Sequence, residues 1–461
     1  MASDYLDLLE RANHGIPISK NDWDFEKIVL PTQSLVKKYN LKWNHRDVIP
    51  QDNDLIDRLF QAGMELARTS GVFFSNSKTI LLFEPGELEA GLKNAKTSLE
   101  MGKGMDIRTL YARQVMDKRP PLVWAGNPGC PTPEDLFLPM VMSWMQEPVV
   151  DLITCGSLTR INGHEVRTGE PSEIAVTRKE LKLLREGLRN VGRPGMGMLA
   201  AQSSVSEMGD LAVAHPDYLR PCDSHLIPIH NEMIMDNHNI ARVVNSIDYG
   251  MRNASLACVM VGGLGGDAPG SAVLQIASFI VANLVCLADY HLLHPIHIRH
   301  VATSTRPVMW VQSAVSQAFA RNAPEIIVAD IYPKSGALTP ELLLEVAANA
   351  IVLTVSGAHL EGVGAVDGNI PNSTGLEARL MGEVGHAVTR QHLDLAEANR
   401  IVSDLLELYE YVFDLQEGNP GVRFDRAYDL STLQPIPEWK EMYIGVKNQL
   451  RSLGLREIVG D

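Results

Sequence analysis

From residue 121 onward the chain repeats one texture eight times: a short apolar, β-prone run followed by a longer stretch with helical spacing. The runs are PLVWAG (121–126), VVDLITCGSL (149–158), GMGMLAAQ (195–202), HLIPIH (225–230), SLACVMVGG (255–263), IHIRHVAT (296–303), EIIVADIYP (325–333) and AIVLTVSG (350–357). Between them lie helical patterns such as EDLFLPMVMSWMQE (134–147), TRKELKLLREGLRNV (177–191), MWVQSAVSQAFARN (309–322) and TPELLLEVAANA (339–350). Each short run is continuously apolar, as expected of strands buried on both faces beneath covering helices. Eight β/α units match a (β/α)8 barrel. The rival is an open doubly wound sheet, which usually carries a glycine-rich loop after its first strand; AGNPGCP (125–131) is not GxGxxG. The expected fold class is therefore α/β, a (β/α)8 TIM barrel over residues 119–389.

The flanks read as helical additions. Residues 53–70 and 85–101 have helical apolar spacing, and GVFFSNSKTILLFEPGE (71–87) reads as a hairpin around Ser75–Ser77. Residues 1–118 thus form an N-terminal extension, mainly helical with a short hairpin. Residues 390–461 supply C-terminal helices packed on the barrel, at 390–414 and 437–454.

Composition narrows the partners. Of 461 residues, 41 are Lys or Arg and 56 are Asp or Glu, a formal net charge of −15, which disfavours nucleic acid and anionic membrane. The stretch Ser271 to Ala288 carries no charge, but Gln275, Ser278 and Asn283 interrupt it and Asp289 follows at once. It reads as a helix buried in a core or interface, not as a span. Five cysteines without CxxC pairing suit a reducing compartment, and the acidic N-terminus is unlike a signal peptide; a cytoplasmic location is expected.

Barrel active sites lie where strands end and the following loops begin. Those positions hold the Gly195–Gln202 run, Asp223, Ser224 and His225, then Asp267, His297, Arg299 and His300, Asp330 and Tyr332, and Ser356, Gly357 and His359. GGLGGDAPG (262–270) lacks a GK[ST] ending and reads as a tight loop. The histidines at 291, 294, 297 and 300 are interrupted by Pro295 and do not share one strand face. Cys222, Asp223 and His225 are ligand types without a second ligand pair. A charge such as Arg299 inside a strand needs a partner, either a carboxylate such as Asp330 or an anionic group of a substrate.

Three longer strings carry a resemblance. GRPGMGMLAAQSS (192–204), IHIRHVATSTR (296–306) and TGLEARLMGEVGHA (374–387) resemble the monomethylamine:corrinoid methyltransferase family of methylotrophic methanogens, with similarity from NDWDFEKI (21–28) to the last helix. The resemblance implies a barrel, a homo-oligomer (a hexamer in the family) and methyl transfer to the cobalt of a cobamide carried by a separate corrinoid protein. It also implies shared positions at Asp223, Ser224, His225, Asn231, Glu232, His297, Arg299 and Arg306. The departures are coordinated. Leu199 stands where the family has pyrrolysine, Leu226 where it has a glutamate, and Asp330 where it has a glutamine. A second family glutamate falls in a segment between Tyr249 and Gly262 that is shorter here. The D-x-H strings at Asp223–His225 and Asp289–His291 do not continue as D-x-H-x-x-G, so the cobamide is expected on a partner, with none tightly bound to this chain.

The resulting expectation is a pyrrolysine-independent methyltransferase. It would move a methyl from a small N-methyl or quaternary amine, not monomethylamine, to cobalt(I). Asp223, His225 and Asp330 are the candidates for binding and proton donation. Leu199, Gln202, Leu226, Glu232, His297, Arg299 and Tyr332 are the candidate substrate contacts, with no metal held by the chain. Trp124, Trp310 and Tyr332 could offer aromatic faces to a quaternary nitrogen. Two alternatives stay open: a non-catalytic barrel subunit that binds a corrinoid protein, and a metal-dependent lyase or hydrolase using Cys222, Asp223, His225 and His297.

Overall fold

The computed structural model describes residues 2–459. Eight parallel strands close into a barrel in sequential order: β1 (Val123–Ala125), β2 (Leu152–Thr154), β3 (Met198–Ala200), β4 (Ser224–Ile229), β5 (Arg252–Ala257), β6 (Tyr290–Leu293), β7 (Ile327–Asp330) and β8 (His359–Gly362). Closure runs through β8 against β1, with Leu360 opposite Val123 and Glu361 opposite Trp124. This is the (β/α)8 architecture.

Four strands lie inside the apolar runs, β4 and β5 begin one and three residues ahead of theirs, and two assignments need correction. The sixth strand is Tyr290–Leu293, upstream of 296–303. Pro295 separates it from Ile296–His297, which pair outside the barrel with Met260–Val261. The β-branched residues of the later run misled. The eighth strand is His359–Gly362, while 350–357 completes the helix Pro340–Ser356. Every residue of that helix from Leu342 to Ser356 is buried, because it packs both on the barrel and under the C-terminal helices Gly375–Gln391 and Leu395–Tyr409. An all-round apolar helix cannot be told from a buried strand by periodicity.

Before the barrel, the helix Asn53–Ser70 starts where the Asp52 side chain accepts a hydrogen bond from the Asp54 N–H, and ends at Gly71, whose φ of +73° suits glycine. The uncharged stretch forms the helix Ala268–Val285. It is long and apolar enough to cross a membrane, yet 89% of it is buried inside the protein, largely against Asn53–Ser70. Residues 85–101 are helical only over Glu87–Asn94; Ser98–Met101 then pairs antiparallel with Arg108–Tyr111. This second hairpin plugs the N-terminal end of the barrel. Its Leu99, Met101 and Leu110 join Trp124, Leu152, Leu199, Tyr290, Leu292 and Val328 in one interior cluster. The backbone N–H groups of Gly102 and Lys103 bond the carbonyls of Cys222 (3.0 Å) and Gly195 (2.7 Å), just before β4 and β3.

Candidate functional site

Side chains alternate between barrel interior and helix layer along each strand. The inward set fills the lower barrel with Trp124, Leu152, Ser224 and Tyr290, the last two joined by hydroxyls 2.7 Å apart. Above them a cavity of about 90 Å³ opens at the C-terminal end, lined by Pro128, Gly129, Leu199, Gln202, Leu226, Leu256, Leu292, His294, Asp330, Tyr332 and Glu361. It is far smaller than the roughly 300 Å³ or more of a drug-sized site, so it suits a molecule of few heavy atoms. Four leucines from β3 to β6 make one side apolar. Residues at and beyond the ends of β6, β7 and β8 make the other side polar.

The polar side is organised by Asp330, the last residue of β7. Its Oδ2 lies 2.9 Å from Nδ1 of His294, and it stands opposite Glu361 in the β7–β8 register. Burial alone would deprotonate His294, but Cys258 at the end of β5 and Asp330 together outweigh it and push the imidazole up to about 10. Burial and then the neighbouring Asp330 hold Glu361 well above the usual carboxylate range. Among the described residues, Asp330 Oδ1, both Glu361 oxygens and Gln202 Nε2 have no hydrogen-bond partner.

Tyr332 closes the polar side. Its ring stands edge-on to His294 at 4.3 Å, and its hydroxyl donates to the Pro128 carbonyl. A Cβ on Gly364 would fall 2.1 Å from the Tyr332 ring, so only glycine lets the ring lie there. Across the cavity, Ala201 follows β3 with φ +69°, a strained conformation of the kind that collects at functional sites.

Of the sequence candidates, Leu199, Gln202, Leu226, Asp330 and Tyr332 come together on this cavity. The others do not. Asp223 lies at the plugged end, fully buried, accepting from Arg185 (2.7 Å), Arg220 (2.8 and 2.9 Å) and the Met198 N–H (3.2 Å). It is a structural anion tying β3 to β4, not a group at the mouth. His225 points the opposite way from Ser224, into the helix layer, where Nε2 meets Asn253 Oδ1 at 3.0 Å and burial pushes its pKa down to about 4. Both were expected at the catalytic end, and their places at the N-terminal start of β4 correct that. Glu232 follows β4 with φ +65°; its carbonyl accepts from the Trp23 indole (2.9 Å), and burial raises its carboxyl to about 7.

Arg299 is not inside a barrel strand. It is exposed in the turn after Ile296–His297 and faces no burial penalty. His297, half-buried in the same turn, accepts from the N–H groups of Arg299 (3.2 Å) and His300 (3.3 Å), and burial with those two neighbours pushes it down to about 4. Trp124 is sealed in the lower barrel. Trp310 packs beside Trp43 outside it, leaving Tyr332 as the aromatic wall among the three proposed.

His294 and Glu361 were missed. Each had a signal: His294 follows a buried apolar run, and Glu361 is a charge inside HLEG, the feature weighed instead for Arg299. Ser255, His291 and Glu325 form a hydrolase-like relay (2.6 and 2.5 Å), but all three are buried beneath Phe279 of the helix layer. Among the described residues no three His, Cys, Asp or Glu side chains are placed to hold a metal ion. Cys222, Asp223 and His225 sit at the opposite barrel end from His297, which removes the metal-dependent alternative built on them.

The family model for "Monomethylamine methyltransferase MtmB" matches residues 3–455. A monomethylamine methyltransferase MtmB of Methanosarcina mazei is 30% identical over 454 residues, covering 98% of both chains, and an MtmB2 of Methanosarcina acetivorans is 30% identical over 460 residues with the same coverage. Among solved structures, the crystal structure of the Methanosarcina barkeri monomethylamine methyltransferase superposes with a TM-score of 0.94 at 29% identity and 98% coverage of each chain. A hydroxylamine complex of MtmB gives the same figures.

Proposed function

The chain belongs to the monomethylamine methyltransferase MtmB family, and from that premise we propose that it transfers a methyl group from a small methylated amine to the cobalt of a separate corrinoid protein. The observation that carries this reading is the cavity: about 90 Å³, at the catalytic end of the barrel, apolar on one side and polar on the other. A methyl-bearing compound of a few heavy atoms matches it in size and in its division into methyl and heteroatom ends. A corrin ring does not fit inside, which supports an acceptor brought to the mouth on another protein.

When bound there, the cobalt(I) corrinoid supplies the nucleophile. Everything else falls to this chain. Leu199, Leu226, Leu256 and Leu292 exclude water and hold the methyl end, while Asp330, Glu361 and His294 hold the heteroatom end. Fixing the methyl in line with the attack turns an encounter into an oriented, unimolecular step. Tyr332 keeps His294 in place through its ring contact.

Leu199 supports a substrate other than monomethylamine. It lines the cavity at the position that the resemblance assigns to pyrrolysine, and it offers no electrophile with which to activate a poor leaving group. A quaternary nitrogen is permanently cationic and leaves as a neutral amine without a proton or an activating adduct. A cytoplasmic homo-oligomer, hexameric as the resemblance implies, is part of the same proposal; light scattering of the purified protein measures its assembly. The deciding experiment mixes the protein with a reduced corrinoid protein and a panel of methylated amines. A cobalt absorbance change with one of them supports the reading. No change across the panel favours the non-catalytic barrel.

A further inference from the structure

Glu361 is fully buried, lines the cavity, and has no hydrogen-bond partner for either oxygen among the described residues. Asp330 Oδ1 on the same wall is likewise unpartnered. Both residues line the cavity and keep acceptor atoms that no protein donor among the described residues occupies. Against them stands His294, 2.9 Å from Asp330 Oδ2. The other groups facing Glu361 and Asp330 are Thr154 from β2, Tyr290 from β6, Cys258 from the end of β5 and Tyr332 with nearby Cys130. None is a lysine or an arginine.

The charge count then has two solutions. Two ionised carboxylates beside one imidazolium would leave a net negative charge facing four leucines, which is costly in so dry a place. One proton on the pair removes that charge, and so does one cation in the cavity. A proton and a cation therefore do the same electrostatic work and displace each other.

We propose that the Asp330–Glu361 pair exchanges a proton for a small methylated ammonium ion, the free protein holding the proton and the arriving ion releasing it to solvent. The inference rests on reading the cavity as the methyl-donor site. The O–H bond of the carboxyl breaks, its electron pair stays on oxygen, and the proton passes to water or buffer; the ion keeps all its bonds. The raised proton affinity of Glu361 agrees with this. One consequence is that the ion binds more tightly as pH rises. Another is that a neutral molecule of the same shape gains nothing from the pair.

The test is calorimetry of the purified full-length chain with tetramethylammonium chloride, which carries no proton of its own, in two buffers of different ionisation enthalpy. The expected result is release of about one proton per ion bound and an affinity that rises up to about tenfold per pH unit near neutrality. Glu361→Gln should bind more weakly, release no proton and lose the pH dependence. Binding without proton release, release that persists in Glu361→Gln, or no binding by tetra-, tri- or dimethylammonium each overturns the proposal. The wild-type measurement decides even where the variant fails to fold. Its failure is separable from that of the proposed function: methyl transfer to a corrinoid protein without ion–proton exchange removes only the exchange, and exchange without transfer removes only the methyltransferase reading.

Discussion

Asp330 stands between two partners of opposite character, with His294 Nδ1 2.9 Å from its Oδ2 on one side and the buried Glu361, whose proton affinity is raised, opposite it across the β7–β8 register. A salt bridge and a carboxyl of raised proton affinity thus flank one carboxylate. Asp330→Asn removes one of the two neighbours, Cys258 being the other, that hold the proton affinity of His294 up. Its imidazole, pushed up to about 10 in the wild type, should then titrate lower, and NMR of the imidazole nitrogens across pH reads that shift. A titration unchanged from wild type would mean that Cys258 alone maintains the charge.

Leu199 sets both the size and the chemistry of the apolar side. Leu199→Ala leaves a cavity in the interior cluster and should lower stability by about 2–5 kcal/mol in chemical unfolding. It should also relax selection in favour of bulkier amines. Monomethylamine should give no turnover in either protein, and methyl transfer from it would sink the argument from Leu199.

Gly364→Ala tests the aromatic wall. The new methyl collides with the Tyr332 ring at 2.1 Å, and the ring must leave its edge contact with His294. Methyl transfer should fall by an order of magnitude or more while the melting temperature changes by a few degrees, since the barrel strands are untouched.

Acid should loosen the fold through its buried neutral histidines. His359 accepts from the Leu122 N–H and donates to the Tyr111 carbonyl, both at 2.9 Å, tying β8 and β1 to the plug hairpin. Burial pushes it down to about 3 and His225 down to about 4, against roughly 6.5 in an unfolded chain. The unfolded state therefore binds more protons below that value. Stability should be full above about pH 6.5 and should decline as pH falls towards 4. His359→Phe should cost about 1–3 kcal/mol near neutrality by orphaning the two backbone groups, and should flatten that acid decline.

Asp223 offers the contrast. Asp223→Asn strands Arg185 and Arg220, each mostly buried, and should cost about 3–5 kcal/mol of stability. The cavity lies at the other end of the barrel, so the affinity of the folded fraction for its amine should stay near wild type. A selective loss of affinity without loss of stability would return Asp223 to the site.

The barrel was legible because its signal is repeated: eight short apolar runs, of which four hold the strands they predict and two overlap them. The two misplaced strands share one cause. HLEG and YHLL are short, carry polar residues and lie beside stronger apolar runs, so local hydrophobicity pointed to the neighbour. The site inherited that error. With β6 placed at 296–303, His294 lay before the strand and Arg299 within it; with β8 placed at 350–357, Glu361 fell beyond the mouth. Gln202, Asp330 and Tyr332 were found because they follow or end correctly placed strands, and Leu199 and Leu226 because the resemblance marked their positions. Asp223 and His225 were at the right strand but the wrong end, since a residue before a strand and one after it look alike until the strand's first residue is known.

The hairpin that seals the N-terminal end has a kinetic consequence. Gly102 and Lys103 bolt it to the barrel rim, and its leucines share a cluster with the floor of the cavity. Among the described residues the chamber is therefore closed at its floor, and its doorway lies at the C-terminal end. In the proposed reaction the same doorway must admit the amine, present its methyl and discharge what remains. A corrinoid protein seated across it acts as a door: the amine enters before docking, and the demethylated product departs after undocking. Turnover on this scaffold is sequential by construction, and excess corrinoid protein should slow it by trapping the amine outside.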